Sequence, residues 1–170
     1  MKALFISVGD LKAKSIVDGN TDADKLLYLI EVAQDMHIQN YLGGKLYDKL
    51  QDLILSGDID LPANSDYKTL RDDYIKPMLI WFTQIEYLPE AMFKIDNGGV
   101  SKHRAEADDS VDFRDIDRML SKVTDRAEFY TKRFIDYICF NNQKFPEYND
   151  NSNGDMYPDK DASNFSGWVL

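Results

Sequence analysis

Apolar residues recur at helical spacing in four stretches of the chain. In the first, Thr21 and Asp24 match a capping box, and apolar positions then repeat every three or four residues up to Gly43, a residue suited to ending a helix. The second stretch, 45–56, carries Leu46, Leu50, Leu53 and Ile54 on one face and stops before Gly57. Two consecutive helices are therefore predicted in the first third of the chain.

The third and fourth stretches, 66–95 and 111–142, are longer and their apolar patterns match. Steps of three and four, the period of a stripe that packs against another helix, run through both without a slip. Pro77 and Pro89 fall inside the third stretch, where each should kink or restart the helix. The stripes consist of Tyr74, Met78, Trp81, Ile85, Leu88, Met92 and Ile95 in the third stretch and Phe113, Ile116, Leu120, Val123, Ala127, Tyr130, Phe134 and Tyr137 in the fourth.

These patterns predict an all-α fold, a bundle of about four helices with a long antiparallel helical hairpin as its spine. The connection 97–112 forms the tip of that hairpin, and the segment 4–8 is consistent with a short edge strand. Pro146 ends the spine, which predicts a helical domain over 1–146. The segment 147–170 has the Asn, Asp, Ser and Gly content of an extended C-terminal arm.

The net charge of the chain limits the classes of partner that it is expected to bind. Thirty acidic against twenty basic residues give a net charge of -10, which argues against binding a nucleic-acid backbone, because that contact needs a concentrated basic surface. The start, "MKALFISVGD", is too short in its apolar run for a signal peptide, and no segment is apolar enough to span a membrane. With one cysteine and no internal disulfide, an intracellular protein is expected.

Candidate sites for chemistry are weak. The segment "NDNSNGDMYPDK" resembles a calcium loop, but Asn149 stands at its first position and Lys160 where a bidentate Glu is needed. Zinc needs clustered ligands, whereas Cys139, His37 and His103 are isolated from one another in the sequence. Cys139 lies in an aromatic helical stretch that favours a buried, inert thiol. No catalytic residue, metal site or cofactor is therefore expected.

Two features favour contact with a protein partner. The compact basic cluster in the predicted tip stands out on an acidic chain, although a solvated loop is the simpler alternative. The apolar end of the polar arm suits docking on a neighbour, with packing on its own subunit as the alternative. The candidate partner-binding residues are Lys102, His103 and Arg104 in the tip and Phe165, Trp168 and Leu170 in the arm.

Nearly the whole chain resembles a known class of phage proteins. The stretches that carry the resemblance are "DGNTDADKLLYLIEVAQDMHIQNYLGGKLYDKL", "YIKPMLIWFTQIEYLPEAMFKIDNGGV" and "AEFYTKRFIDYICFNNQKFPEY". Their markers are an acidic first helix ending in "LGGKLYDKL", a proline entering the third helix, the "NGGV" turn and the closing "FPEY". In these features the chain resembles the head-tail connector (adaptor, or ring) proteins of tailed bacteriophages, particularly those of the crAss-like group.

The resemblance implies a structural virion protein and not an enzyme. Such a subunit assembles as a homo-oligomeric ring, commonly a dodecamer, in the bacterial host cytoplasm. The ring lies beneath the portal protein, contacts neighbouring tail or ring proteins, and lines a channel through which DNA passes without sequence-specific binding. The resemblance transfers no site residue. An acidic cytoplasmic helical module that dimerises or holds one protein partner is the alternative, and a helical enzyme with an unrecognised site is a third hypothesis.

Overall fold

The computed structural model describes residues 2–17, 20–91, 93–96, 99–102, 113–150 and 155–161. Helices dominate these ranges, so the predicted all-α fold class is confirmed. The helices are α1 (Val8–Lys14), α2 (Ala23–Ala33), α3 (Gln39–Ser56), α4 (Ser65–Thr69), α5 (Lys76–Ala91) and α6 (Phe113–Phe140). Two π-helical turns, Gln34–Ile38 and Leu70–Ile75, join α2 to α3 and α4 to α5 without a loop.

Helix α5 lies at the centre of the fold. It packs against α6 on one side and against α2 and the first π-helical turn on the other. Its two fully buried polar residues bond within the helix, since the Thr83 hydroxyl donates to the Leu79 carbonyl at 2.8 Å and the Gln84 amide donates to the Ile80 carbonyl at 3.1 Å. The apolar residues that α5 buries are Met78, Leu79, Ile80, Phe82 and Leu88.

Helix α6 runs antiparallel to α5 along its length. Tyr74, in the π-helical turn before α5, stacks on Tyr137 near the end of α6, with ring centroids 3.9 Å apart. One to two turns into α5, the Trp81 ring lies 4.8 Å from the guanidinium of Arg126, which is earlier in α6. Because later positions of α5 meet earlier positions of α6, the two helices form an antiparallel pair.

The third helix is shorter than predicted. It ends at Ala91, and the residues beyond form an antiparallel hairpin of β1 (Phe93–Asp96) and β2 (Gly99–Lys102). The β1 sequence FKID alternates apolar and polar residues, and the two residues between the strands are Asn and Gly, a pair that favours two-residue hairpin turns. The prediction that the third helix continues to Ile95 is therefore wrong, because α5 ends at Ala91 and Ile95 lies in β1.

Helix α2 is capped at its start by Asp22, one residue after the predicted Thr21. The Asp22 side chain accepts a hydrogen bond from the Asp24 backbone N–H.

Glycine sets the ends of the first two predicted helices. Gly43 breaks the helix as predicted, with φ 72° and ψ 162°, but the helix resumes at the next residue. The second helix ends where predicted, with Gly57 in the left-handed conformation.

The N-terminal segment is held by two buried glutamines. Gln51 binds both backbone groups of Ala3, accepting from its N–H at 2.6 Å and donating to its carbonyl at 2.8 Å. Gln34 accepts from the Phe5 N–H at 2.8 Å and donates to the Ala3 carbonyl at 3.0 Å. Side-chain amides thus replace a neighbouring strand, and the edge strand predicted at 4–8 is wrong.

A pair of phenylalanines on α6 tests the position of the core. Phe134 is 1% exposed and Phe129 is 64% exposed on the same helix. Phe134→Ala leaves a cavity and should lower the free energy of unfolding by about 3–5 kcal/mol. Phe129→Ala, the matched control, should change it by about 0.5 kcal/mol or less. Urea denaturation followed by circular dichroism measures both, and equal losses would contradict this packing.

Candidate functional site

Residues that could bind a metal ion or take part in catalysis are dispersed over the described part of the chain. Among the described residues no group of three or more His, Cys, Asp or Glu is arranged to hold a metal ion, and no described helix is long and apolar enough to cross a membrane. His37 stacks on Phe82 at 4.2 Å and its Nε2 lies 2.8 Å from a Glu86 oxygen. Cys139 is exposed in the last turn of α6, so the predicted buried thiol is wrong.

The structure places one of the six predicted contact residues. Lys102 is the last residue of β2 and pairs in register with Phe93, so it lies at the open end of the hairpin, where the hairpin meets the helices, and not at its turn. The Lys102 side chain lies outside the described part of the structure, as do His103, Arg104, Phe165, Trp168 and Leu170. Their role in binding a partner stays a prediction.

One side of α6 exposes large aromatic residues. Phe129 and Phe140 are 64% and 90% exposed, respectively. Eleven residues of an α-helix complete three turns with a remainder of about 20°, so the two rings share one side of α6, roughly 16 Å apart. Lys122 and Asp136 fall on the same side and are also exposed. These four residues, Lys122, Phe129, Asp136 and Phe140, form the outer face of α6.

Part of the predicted arm lies across the break in α3. The Gly44 N–H donates to the Met156 carbonyl at 2.8 Å, and the Asp159 N–H donates to the Asn40 carbonyl at 2.9 Å. Residues 155–161, here called the strap, are thus fixed to the helical body by backbone hydrogen bonds. The extended arm predicted over 147–170 is therefore bound to its own subunit along this segment.

Two adjacent glycines make room for the strap. A Cβ atom on Gly43 would lie 2.6 Å from Pro158 Cδ, and one on Gly44 would lie 2.2 Å from an Asp155 carboxylate oxygen. Pro158 is buried in this notch. The Asp155 carboxylate also lies near the start of the resumed helix, where exposed N–H groups favour a negative charge. Gly43 and Gly44, the two glycines of the "LGGKLYDKL" marker, therefore form the glycine notch, in which the strap binds.

The helical body continues past the predicted boundary at 146. Tyr148 is 1% exposed, and its hydroxyl has no hydrogen-bond partner among the described residues. Burial raises the pKa of Tyr148. The preceding Phe145 is fully buried and meets the Tyr67 ring edge-on at 5.5 Å, while the Tyr67 hydroxyl donates to Glu147 at 2.9 Å. Residues 145–148 therefore complete the core, and an extended arm does not begin at 147.

A separate groove of about 420 Å³ opens beside the N-terminal segment. The two cations that line it, Arg71 and Lys76, are both paired with Asp72, which accepts hydrogen bonds from Arg71 at 2.7 and 3.1 Å and lies 3.0 Å from the Lys76 ammonium. Burial opposes ionisation of Asp72, but these two partners outweigh it and lower its pKa. The residues lining the groove are Leu4, Phe5, Ile6, Ser7, Val8, Asp10, Leu27, Ile54, Arg71 and Lys76.

The chain belongs to a family of unknown function, DUF6712, whose model matches residues 38–157. No curated protein and no solved structure matches it. The matched range contains α5, the glycine notch and all of α6, together with the first residues of the strap. The family match therefore covers the central helix pair and the site where the strap binds.

Glycine substitutions test the strap. Gly57→Ala, the control, has open space around its Cβ and should cost about 1 kcal/mol through its left-handed backbone alone. Gly43→Ala places a methyl group against Pro158 and should also displace the strap. Hydrogen exchange of the Asp159 amide, which donates to Asn40, distinguishes the two effects. Slow exchange of this amide in Gly43→Ala would show that the strap does not need the notch.

The carboxylates near the strap predict a pH dependence. Burial, followed by the negative charges of Asp155 and Asp52, raises the pKa of Asp48. Ionised Asp48 is therefore less favourable in the folded protein, and its contribution to stability falls as the pH rises through this pKa. Asp48→Asn should raise the melting temperature at neutral pH, by an amount that shrinks towards pH 3. The exposed Asp73→Asn is the control, and equal shifts in both variants would contradict the prediction.

Proposed function

We propose that this chain is a structural virion protein, a subunit of the head-tail connector ring that joins the portal to the tail and surrounds the path of the DNA. The sequence resemblance supports the phage context, because it extends over most of the chain. The observation that carries an assembly role is the outer face of α6, where Phe129 and Phe140 are 64% and 90% exposed. Exposed aromatic residues of this size favour a protein contact.

The position of this face suits a subunit that contacts its neighbours. The opposite side of α6 packs on α5 through buried residues such as Ala127 and Phe134. One side of the helix is therefore packed within its own subunit, while the four residues of its outer face are exposed in the described part of the structure and can meet a neighbour. In a closed ring each subunit uses two different surfaces, so the outer face of α6 would meet another part of the next copy.

Net charge also fits a channel that DNA traverses. The chain carries a charge of -10, and repetition around a ring multiplies this charge. A negative wall repels the phosphate backbone and disfavours adhesion of the moving DNA. The same charge would suit a cytoplasmic binding module, so the two functions are separated by their partners and their assembly state.

Paired substitutions on exposed aromatic residues test the proposed function. The chain is coexpressed with the portal protein encoded in the same genome, and native mass and negative-stain images report ring formation. Phe129→Glu with Phe140→Glu should retain the helical circular dichroism spectrum, because both rings are exposed, and should abolish ring formation. Tyr28→Glu, at an aromatic residue 58% exposed on α2, is the matched control and should still assemble.

Each outcome of this experiment either distinguishes the connector from the cytoplasmic module or tests the role of the outer face of α6. A wild-type chain that never associates with the portal, and remains a monomer or dimer in its presence, would favour the cytoplasmic module over the connector. Assembly of the double Phe variant would remove α6 from the contact. Equal loss in the Tyr28→Glu control would mean that the contact is not specific to the outer face of α6.

A further inference from the structure

The hairpin of β1 and β2 forms a two-stranded sheet in the described part of the chain. An isolated hairpin of this length is only marginally stable in water, and each outer edge presents backbone N–H and C=O groups to a further strand. The charges along β1, whose sequence is FKID, identify one partner for its edge.

Strand β1 is complementary to itself. If β1 of a second copy is placed antiparallel and centred on Ile95, then Lys94 takes the register position opposite Asp96, and Asp96 the position opposite Lys94. Centring on Lys94 or Asp96 instead brings like charges together, and centring between two residues pairs no charges across the strands. We propose that β1 binds β1 of a second copy of this chain in the register centred on Ile95, forming a four-stranded sheet.

The backbone of the hairpin suits the same register. Two residues separate the strands, and in such hairpins the pair next to the turn, Asp96 and Gly99, is a hydrogen-bonded pair. Pairs then alternate, so the N–H and C=O groups of Ile95 are directed to the outer edge of β1, which faces away from β2. The residue at the centre of the charge-matched register is thus one whose backbone groups are available to a second copy.

This contact is independent of the proposed ring. It relates two copies by a two-fold axis and uses the same surface on both, whereas a ring closes through two different surfaces. Free subunits would therefore form pairs whether or not a portal is present. The ring experiment and the experiment on β1 can each fail without the other.

Charge exchange tests the register directly. Light scattering measures the mass of the full chain from about 1 to about 100 µM, where wild type should form dimers. Lys94→Asp and Asp96→Lys each place like charges opposite each other twice, and each should weaken dimerisation about tenfold or more. A mixture of the two variants pairs Asp with Lys at both positions and should restore dimers. The double variant Lys94→Asp with Asp96→Lys should also dimerise.

A proline variant tests the backbone edge. Ile95→Pro removes the N–H directed to the outer edge of β1 and should abolish dimerisation. Melting of the helical body checks that each variant is folded. A wild-type chain that remains monomeric over the whole range would overturn the proposal. So would wild-type association in Lys94→Asp or Ile95→Pro, or a mixture of single variants that remains monomeric.

Discussion

The packing of α5 on several sides at once is the constraint on which the other elements depend. Its Phe82 ring stacks on His37 and lies 6.2 Å from the Tyr41 ring, while Tyr74, just before the helix, stacks on Tyr137 of α6. Gln84 accepts a hydrogen bond from the Ile16 backbone at 3.3 Å, so the segment after α1 also reaches this helix. Helices α2 and α6 and both π-helical turns pack against α5, which is why one helix of ordinary length connects so many elements of the domain.

Sequence periodicity predicted where helices form better than it predicted which of their residues are buried. The end of the second helix at Gly57 and the inward positions Ala127 and Phe134 follow directly from local rules. The prediction of a single apolar stripe underestimated how much of α5 is buried. A helix that is buried on several sides has no polar face, so its pattern does not show where the additional contacts lie. Leu120 shows the opposite error, since it continues the stripe of α6 but is only partly buried. Periodicity specifies a face, whereas burial depends on how far the partner helix extends.

The surfaces that bear on function were hidden for a different reason. Composition predicted an extended arm over 147–170 because this segment is rich in Asn, Asp, Ser and Gly. The strap within it nevertheless binds the helical body through backbone groups and one buried proline, which composition does not register. The outer face of α6 was missed because the inward stripe accounted for the helix, leaving Phe129 and Phe140 unexplained on the other side. A search for aromatic residues outside the stripe would have found them.

The strap also limits what the apolar end of the sequence can reach. Asp159 is bonded to Asn40, and the Asp161 N–H donates to the Asp159 carboxylate at 2.9 Å, so the strap ends beside the start of α3. At about 3.4 Å per residue, Trp168 can lie at most roughly 24 Å from Asp161. A free arm beginning at 147 would have reached much further. Any contact that Trp168 makes with a neighbour must therefore form within roughly 24 Å of the end of the strap, so the glycine notch that fixes the strap also limits where that contact can be made.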